Sequence, residues 1–306
     1  MTLEEARFAD IFRTLHARHP NCLQDEWLTE PCRLRNGRRD PRPIAWSRRN
    51  GPWRQVDLLW VGAAPGNAGG KGAGELGAHG TRIPFGGDVA GANLDVLLGS
   101  IGITRNDTFI TASLNSLPAA GGGEPTFAEL AARAGEYPSS LHSLRDTMLA
   151  GGARMIVALG NVGLRALTAS ARIEQHGLVL PTQRKLEQAG LARHQVSAWP
   201  DAVAPDHTFL AKWQQHWSRP LPLILWLTHP SAQNMSPYAG THTVFHTRML
   251  AARDALRTAV RDHLGWQPPS ERARYPSDGI YALKEWIELV GPRHEMLDEL
   301  WRRNGV

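Results

Sequence analysis

The sequence predicts an α/β protein, a three-layer α/β/α sandwich around a central, mostly parallel sheet of four strands. Two observations support this prediction. First, four apolar runs have the length of strands, and each ends in a polar or glycine-rich turn. Second, helical patterns separate these runs, and strands that alternate with helices form parallel sheets covered on both faces. The runs are VDLLWVGAAPG at 56–66, DTFITASLNSL at 107–117, ARMIVALG at 153–160 and LPLILWLTHP at 221–230.

The predicted topology also locates a functional site. The pattern ANLDVLLGSIG follows the first apolar run, SLHSLRDTMLAG precedes the third, and VGLRALTASAR follows it. In sheets of this kind, ligands bind outside the carboxyl ends of the strands. The loops that follow the strands should therefore share one rim, and they read GAAPGNAGGKG, NSLPAAGGG, LGN and THPSAQN.

The chain divides into three predicted regions. Residues 1–52 begin with a helical pattern and continue as a basic extension rich in Pro and Arg. Residues 53–266 hold the four apolar runs and form the predicted core domain, from which the polar segment 172–220 is interpreted as an excursion. Residues 267–306 open on Gln-Pro-Pro-Ser and contain two short amphipathic patterns, which predict a helical tail packed on the core.

Composition restricts the possible functions. The 306 residues are 42% hydrophobic and 21% charged, which is typical of a globular protein. A membrane role is not expected, because no apolar stretch approaches the roughly 20 residues that span a bilayer. The formal net charge of +5 favours a polyanion, such as a nucleic acid, as the partner.

The beginning of the chain and its cysteines indicate a compartment. In MTLEEARFADIF, Thr2 and Glu5 fit a helix capping box, and the segment lacks the basic start and apolar core of a secretory signal. Cys22 and Cys32 are the only cysteines, too few for a disulfide framework. We therefore expect a cytoplasmic, nucleoid-associated monomer with two reduced thiols.

Two nucleotide-binding motifs are excluded by the residues themselves. A phosphate-binding loop needs a glycine, four residues, Gly-Lys and then Ser or Thr. In GAAPGNAGGKG, the decisive positions are Pro65 and Gly72. A GxGxxG dinucleotide turn is also absent from the sequence, so a nicotinamide enzyme has no support.

Five motifs of the chain resemble those of the uracil-DNA glycosylase superfamily, in that family's order. They are GAAPG at 62–66, IPFGGDVAG at 83–91, FITASLNSLP at 109–118, IVALGNVGLRAL at 156–167 and THPSAQN at 228–234. The resemblance extends from about residue 56 to about residue 264 and implies the fold predicted above. The branches that the chain resembles most have first motifs that read GEAPG or GLAPA.

Those branches usually hold an iron–sulfur cluster on four cysteines. At the cysteine position before the proline of the middle strand motif, this chain has Ser116, and Tyr137 fills another of the cysteine positions. Cys22 and Cys32 lack the close spacing of the first cysteine pair. The resemblance therefore implies a divergent branch without the cluster, with no cofactor and no metal.

The resemblance implies an enzyme of DNA repair. Members flip a damaged nucleotide out of the duplex and cleave its N-glycosidic bond, which leaves an abasic site. His229 is then expected to donate a hydrogen bond to the base oxygen that gains charge as the bond breaks. Phe85 is expected to stack on the base, and Asn115 to read its edge through an amide. The alternative for His229 is a loop histidine whose hydrogen bonds go to the backbone. The alternative for Phe85 is a phenylalanine of the core.

The residue that positions the attacking water stays open. The acidic or amide residues that several branches place in the first motif are Ala63 and Ala64 here. Asp88 and Asn67 are the two candidates that remain. Their alternative roles are a helix cap for Asp88 and a turn residue for Asn67.

The first motif is expected to line the base pocket through Gly62, Ala63 and Gly66. Gly66 stands where the best-known uracil-specific branch has a tyrosine that excludes thymine. Without a bulky side chain at that position, we predict a roomier pocket. It should accept other deaminated or modified bases besides uracil.

Six residues are expected to contact DNA. Three polar residues of the last motif are predicted to bind phosphates, and one of two larger residues after them is predicted to wedge into the base stack. A lysine in the glycine-rich segment after the first motif is predicted to touch DNA. In the same order, the residues are Ser231, Gln233 and Asn234, then Met235 and Tyr238, then Lys71.

Two other function classes stay open at this point. One is a binding protein that keeps the base-flipping pocket and senses damaged or abasic DNA without turnover, because the first motif lacks its acids. The other is an unrelated α/β hydrolase that acts on a small molecule. Steep salt-dependent binding to DNA would count against the second class.

Overall fold

A six-stranded sheet forms the centre of the protein, with the strand order β1-β3-β2-β4-β6-β5. The strands are β1 (Ala45–Trp46), β2 (Leu58–Gly62), β3 (Phe109–Ala112), β4 (Met155–Leu159), β5 (Val196–Ser197) and β6 (Leu223–Leu227). The structure is a computed structural model, and it describes residues 45–46, 57–64, 85, 89–103, 108–114, 124–132, 138–231, 234–235 and 244–268.

The four predicted strands are present and parallel to one another. β2 pairs with β3 and β4, and β4 pairs with β6, all in parallel register. The prediction of four strands is incomplete, because two-residue strands β1 and β5 pair antiparallel at the two edges. Two residues are too few to show the period-2 alternation by which a strand is recognised in sequence.

Helices cover both faces of the sheet, which confirms the predicted three-layer α/β/α architecture. Leu59 and Val61 of β2 pack with one helical layer, and Leu58 and Trp60 pack with the other, as the alternation of side chains along a strand requires. The helices are α1 (Val89–Ser100), α2 (Phe127–Ala131), α3 (Ser140–Gly151), α4 (Gly160–Ser170), α5 (Gln183–Gln188), α6 (His207–His216) and α7 (Val244–Leu264).

The two layers differ in composition. Buried residues of α1 and α7 cover one face of the sheet, whereas buried residues of α2 to α6 cover the other. Every strand position from Leu58 to Gly62 and from Met155 to Leu159 is buried, as expected for parallel strands covered on both sides. No helix within the described ranges is both long and apolar enough to cross a membrane.

Residues 172–220 pack as part of the core rather than as a polar excursion. The rings of Phe209 and Trp213 in α6 stack with centroids 6.2 Å apart, and Trp217 lies 6.3 Å beyond Trp213. The indole N–H of Trp217 donates to the carbonyl oxygen of Leu149 over 2.7 Å. The tryptophans of this polar segment therefore anchor it to α3.

Gly163 allows α4 to lie directly on β2. A Cβ atom built on Gly163 would stand 2.5 Å from the carbonyl oxygen of Val61, a backbone atom. We expect Gly163→Ala to lower the free energy of unfolding by about 1–3 kcal/mol, because the added methyl forces this packing apart. Urea denaturation measures the change.

Gly151→Ala is the matched control for Gly163→Ala. Gly151 also lies in a helix, but its built Cβ meets nothing closer than a side-chain atom of Leu59 at 4.0 Å. Alanine is favoured over glycine in helices by up to about 1 kcal/mol. The control should leave stability unchanged or raise it, and equal losses in both variants would contradict the close-packing argument.

Candidate active site

Three loops meet at the carboxyl ends of the parallel strands. A Cβ built on Gly62, at the end of β2, would stand 2.7 Å from Cζ of Phe85. A Cβ built on Gly160, after β4, would stand 2.9 Å from Cβ of His229, which follows β6. The rings of Phe85 and His229 are 5.8 Å apart at their centroids and inclined by 41°. The shared rim predicted from the strand order is therefore present.

His229 is half-buried at this rim, two residues beyond β6. The backbone N–H of Ser231 donates to Nδ1 of His229 over 3.2 Å. Because Nδ1 accepts this bond, a neutral imidazole carries its proton on Nε2. His229 is thus arranged as a hydrogen-bond donor through Nε2.

Phe85 has a backbone conformation that is uncommon for a side chain of its size. Its φ is 56°, in the left-handed region, which costs of order 1–3 kcal/mol for a residue other than glycine. Its ring lies against Gly62 and His229 and also packs on the core cluster that contains α1 and α7. The core packing considered from the sequence is therefore present, and the role of Phe85 in a base pocket stays a prediction.

The first motif continues the sheet pairing beyond β2 and β3. The backbone N–H of Ser113 donates to the carbonyl oxygen of Gly62, and that of Leu114 to Ala63, both over 2.9 Å. The Ser113 hydroxyl also donates to the Gly62 carbonyl oxygen, over 2.7 Å. These bonds hold the end of β3 beside Gly62 and Ala63, at the site.

Asn93 is a site residue that the sequence did not reveal. Its side-chain Nδ2 donates to the carbonyl oxygens of Pro230 and Met235, over 2.7 and 2.9 Å. Asn93 is fully buried in α1, so it ties both ends of the loop after His229 to this helix. The sequence feature that could have indicated Asn93 is a polar amide among the apolar residues of the predicted helical pattern ANLDVLLGSIG.

Met235 is one of the two residues, with Tyr238, that the sequence offers as a wedge into DNA, and its burial contradicts that role. Met235 is fully buried in the core cluster that contains α1 and α7. It anchors the end of the last motif and presents no side chain to a ligand. Ser231 and Asn234 close the loop between them, because the Asn234 side-chain N–H donates to the Ser231 hydroxyl over 2.9 Å.

Arg193 and His194 reach the rim from the segment before β5. The backbone N–H of His194 donates to the Trp226 carbonyl oxygen over 2.6 Å. His194 Nε2 lies 3.0 Å from the hydroxyl of Thr228 and also accepts from the Thr228 backbone N–H, over 3.4 Å. Arg193 Nη2 donates to the side-chain oxygen of Asn161, next to Gly160. Neither residue belongs to a motif of the sequence analysis.

The sequence model of the uracil DNA glycosylase superfamily matches residues 49–257, which is more than half of the chain. The chain belongs to this superfamily. No curated protein sequence matches it. Membership of the uracil DNA glycosylase superfamily supports a glycosylase-type hydrolase of DNA repair and implies a DNA substrate.

The cysteines of this sequence do not match the iron–sulfur cluster of the branches that it resembles. An iron–sulfur cluster of that kind needs four cysteine thiolates, and the sequence contains two cysteines. Within the described part of the chain, no group of three or more His, Cys, Asp or Glu side chains is arranged to hold a metal ion.

Several predicted site residues lie outside the described residues, and their roles stay predictions. They include both candidates for holding the water, one of the three pocket residues of the first motif, the amide that would read the base, and three of the DNA contacts. In that order, they are Asp88 and Asn67, Gly66, Asn115, and Gln233, Tyr238 and Lys71.

His194 makes stability depend on pH. Burial, and secondly the charge of Arg193, lower its pKa below 6.5. The unfolded chain therefore binds a proton at a higher pH than the folded chain does, so stability falls as the pH drops from about 6.5 towards the folded pKa. We expect urea denaturation between pH 8 and pH 5 to show a larger loss of stability for wild type than for His194→Asn.

His194→Asn suits this comparison because asparagine tolerates the left-handed backbone of this position, where φ is 64°. Burial also lowers the pKa of His142, but this contribution is the same in both proteins and cancels in the difference between them. Parallel pH profiles for the two proteins would contradict the assignment of this proton uptake to His194.

Proposed function

We propose that this protein flips uracil out of DNA, hydrolyses its N-glycosidic bond and leaves an abasic site. The observation that carries the proposal is the convergence of the Phe85 ring, which lies against Gly62, with the ring of His229. A planar ring and an N–H donor meet there at the rim where α/β sheets bind ligands. These are the two elements needed to hold a flat base and to stabilise it as it leaves.

Phe85 would hold the extruded base by stacking, which contributes about 1–3 kcal/mol per base. Gly62 supports this role because its missing side chain leaves room for the ring. The strained backbone of Phe85 supports it further, since such conformations concentrate at functional sites.

His229 would stabilise the leaving base. The bond between the sugar C1′ and the base nitrogen breaks with its electron pair remaining on the base, and the negative charge spreads onto a carbonyl oxygen. An Nε2–H donor aimed at that oxygen stabilises the charge as it develops. Water then adds to the electron-poor C1′, and its proton passes through solvent to the base anion, which leaves as the neutral base. Asp88 and Asn67 are the proposed candidates for holding that water.

The proposal includes other deaminated or modified bases as substrates. It rests on Gly66, which supplies no side chain where the uracil-specific branch excludes thymine. Release of hypoxanthine, xanthine and ethenocytosine from otherwise identical oligonucleotides tests this extension. Good release of uracil with none of these three would overturn it.

A second candidate function is a damage sensor that binds but does not cleave. It is favoured by Ala63 and Ala64, which stand where several branches have their water-positioning residues. Such a protein would keep Phe85 and His229 for recognition. It would bind damaged or abasic DNA but would not cleave the N-glycosidic bond.

One assay separates the two candidates. The purified protein is incubated in EDTA with an end-labelled oligonucleotide that contains a single uracil, and abasic sites are revealed by alkaline cleavage. Cleavage at uracil, without cleavage of the thymine control, supports the glycosylase. Tight binding to the uracil oligonucleotide without cleavage would support the sensor.

A further inference from the structure

The dipeptide Arg193–His194 connects two of the strand ends at the site, those of β4 and β6. Arg193 bonds to Asn161, which follows the Gly160 that contacts His229. His194 bonds to Thr228, the residue directly before His229. Two independent contacts therefore fix this dipeptide beside the proposed catalytic histidine.

The guanidinium of Arg193 is held in place before any ligand arrives. It lies over the ring of Trp226, 5.0 Å from the centroid, and Nη2 donates to Asn161 Oδ1 over 2.9 Å. Asn161 in turn donates to Gln183 over 2.7 Å, and Gln183 donates to Glu187 over 2.8 Å. This chain of hydrogen bonds fixes the orientation of the guanidinium.

Arg193 nevertheless remains an exposed cation. Among the described residues, no carboxylate forms an ion pair with it, and its side-chain hydrogen bond goes to a neutral amide. An arginine that served only to cover Trp226 would not need an exposed, fixed charge. A guanidinium presents five N–H donors, and one of them is used by Asn161.

We propose that Arg193 binds a backbone phosphate of the DNA strand whose nucleotide enters the pocket. The planar fork of a guanidinium matches two phosphate oxygens, and a preoriented fork loses little freedom on binding. A phosphate fixed next to Gly160 and His229 would hold the strand in register with the pocket without reading its sequence. The assignment rests on the proposed function, because it requires DNA at this rim.

The chain contains a matched control for Arg193. Arg219 also stacks on a tryptophan, with its guanidinium 5.1 Å from the ring centroid of Trp217. Arg219 precedes β6, whereas the site follows β6. Arg219 therefore lies at the amino-terminal ends of the parallel strands, away from the site. Methionine at either position keeps apolar cover over the tryptophan and removes the charge.

The test is DNA binding by Arg193→Met, Arg193→Lys and Arg219→Met at several salt concentrations, with a uracil-containing duplex and fluorescence anisotropy. We expect Arg193→Met to weaken binding about tenfold, as for the loss of a charged hydrogen bond. The slope of log K against log salt should become shallower by about one, as for one lost phosphate contact. Arg193→Lys should keep the wild-type slope, and Arg219→Met should keep both affinity and slope.

The outcomes separate this assignment from the proposed function. Absence of any DNA binding by wild type would overturn both. Wild-type binding that Arg193→Met matches in affinity and slope would overturn the phosphate assignment and leave the glycosylase proposal standing. Equal effects of Arg193→Met and Arg219→Met would also overturn it, because the loss would then reflect charge or packing in general. Melting temperatures of all three variants identify any loss that comes from unfolding.

Discussion

Replacing His229 with alanine is expected to slow uracil release by about 10²–10³-fold, the typical loss for one donor that stabilises a developing negative charge. The expected loss follows from the hydrogen bond of Ser231 to Nδ1, which leaves the proton of the neutral ring on Nε2. Alanine removes that donor, and the leaving base then separates without a partner for its charge.

Single-turnover rates with enzyme in excess measure this effect, because they report the bond-breaking step rather than product release. His263→Ala is the control. His263 is exposed near the end of α7, and its backbone carbonyl oxygen accepts from Arg154, which precedes β4. His263 therefore lies at the amino-terminal ends of the strands, whereas the site lies at their carboxyl ends. A His229→Ala rate within threefold of wild type would contradict the proposed role.

The affinity of His229→Ala for DNA adds a second readout. If His229 acts mainly as the charges separate, the variant should bind the uracil oligonucleotide nearly as well as wild type. A parallel loss of binding and rate would instead assign His229 to holding the substrate.

The sheet could be predicted because its strands are buried on both faces. Runs such as LLWVG and MIVAL are continuous apolar segments, and Gly62, which ends the first, and Gly160, which follows the second, mark where the strands end. The alternation of strands and helices along the chain then predicted the shared rim, because the loops that follow parallel strands all lie at the carboxyl ends of those strands. Gly62, Phe85 and His229 therefore came together as expected.

The supporting residues could not be predicted in this way. β5 has two residues and no alternating pattern, so nothing in the sequence indicated that Arg193 and His194 reach the site. Met235 was misassigned for a related reason. The residues after the last motif carry no periodicity, and only the packing of α1 and α7 shows that this side chain belongs to the core. Such contacts depend on tertiary geometry.

Replacing Asn93 with alanine is the second change for which we expect a large loss of activity, because its side chain is both buried and hydrogen-bonded to the loop after His229. It is fully buried, and both of its N–H donors hold carbonyl oxygens of the loop after His229. In Asn93→Ala, the carbonyl oxygens of Pro230 and Met235 lose this donor, at a cost of about 1–3 kcal/mol for each buried group left unsatisfied. The loop that places His229 would then lose its two hydrogen bonds to α1.

We therefore expect Asn93→Ala to lose activity beyond what its lower stability explains. A displacement of about 1 Å at a catalytic group can cost on the order of 100-fold in rate. Single-turnover uracil release at 10 °C, with folding checked by circular dichroism, measures the loss in protein that remains folded. A folded variant with the wild-type rate would show that the loop keeps its position without Asn93.

Ser100→Ala separates the clamp from a general weakening of α1. Ser100 is also fully buried in α1, but its hydroxyl donates within the helix, to the carbonyl oxygen of Leu97 over 2.6 Å. Its loss removes a buried hydrogen bond and leaves the loop after His229 untouched. If Asn93 acts as a positioning residue, Ser100→Ala lowers stability modestly and keeps the rate, whereas Asn93→Ala lowers both. A rate loss of the same size in both variants would assign the effect to α1 as a whole.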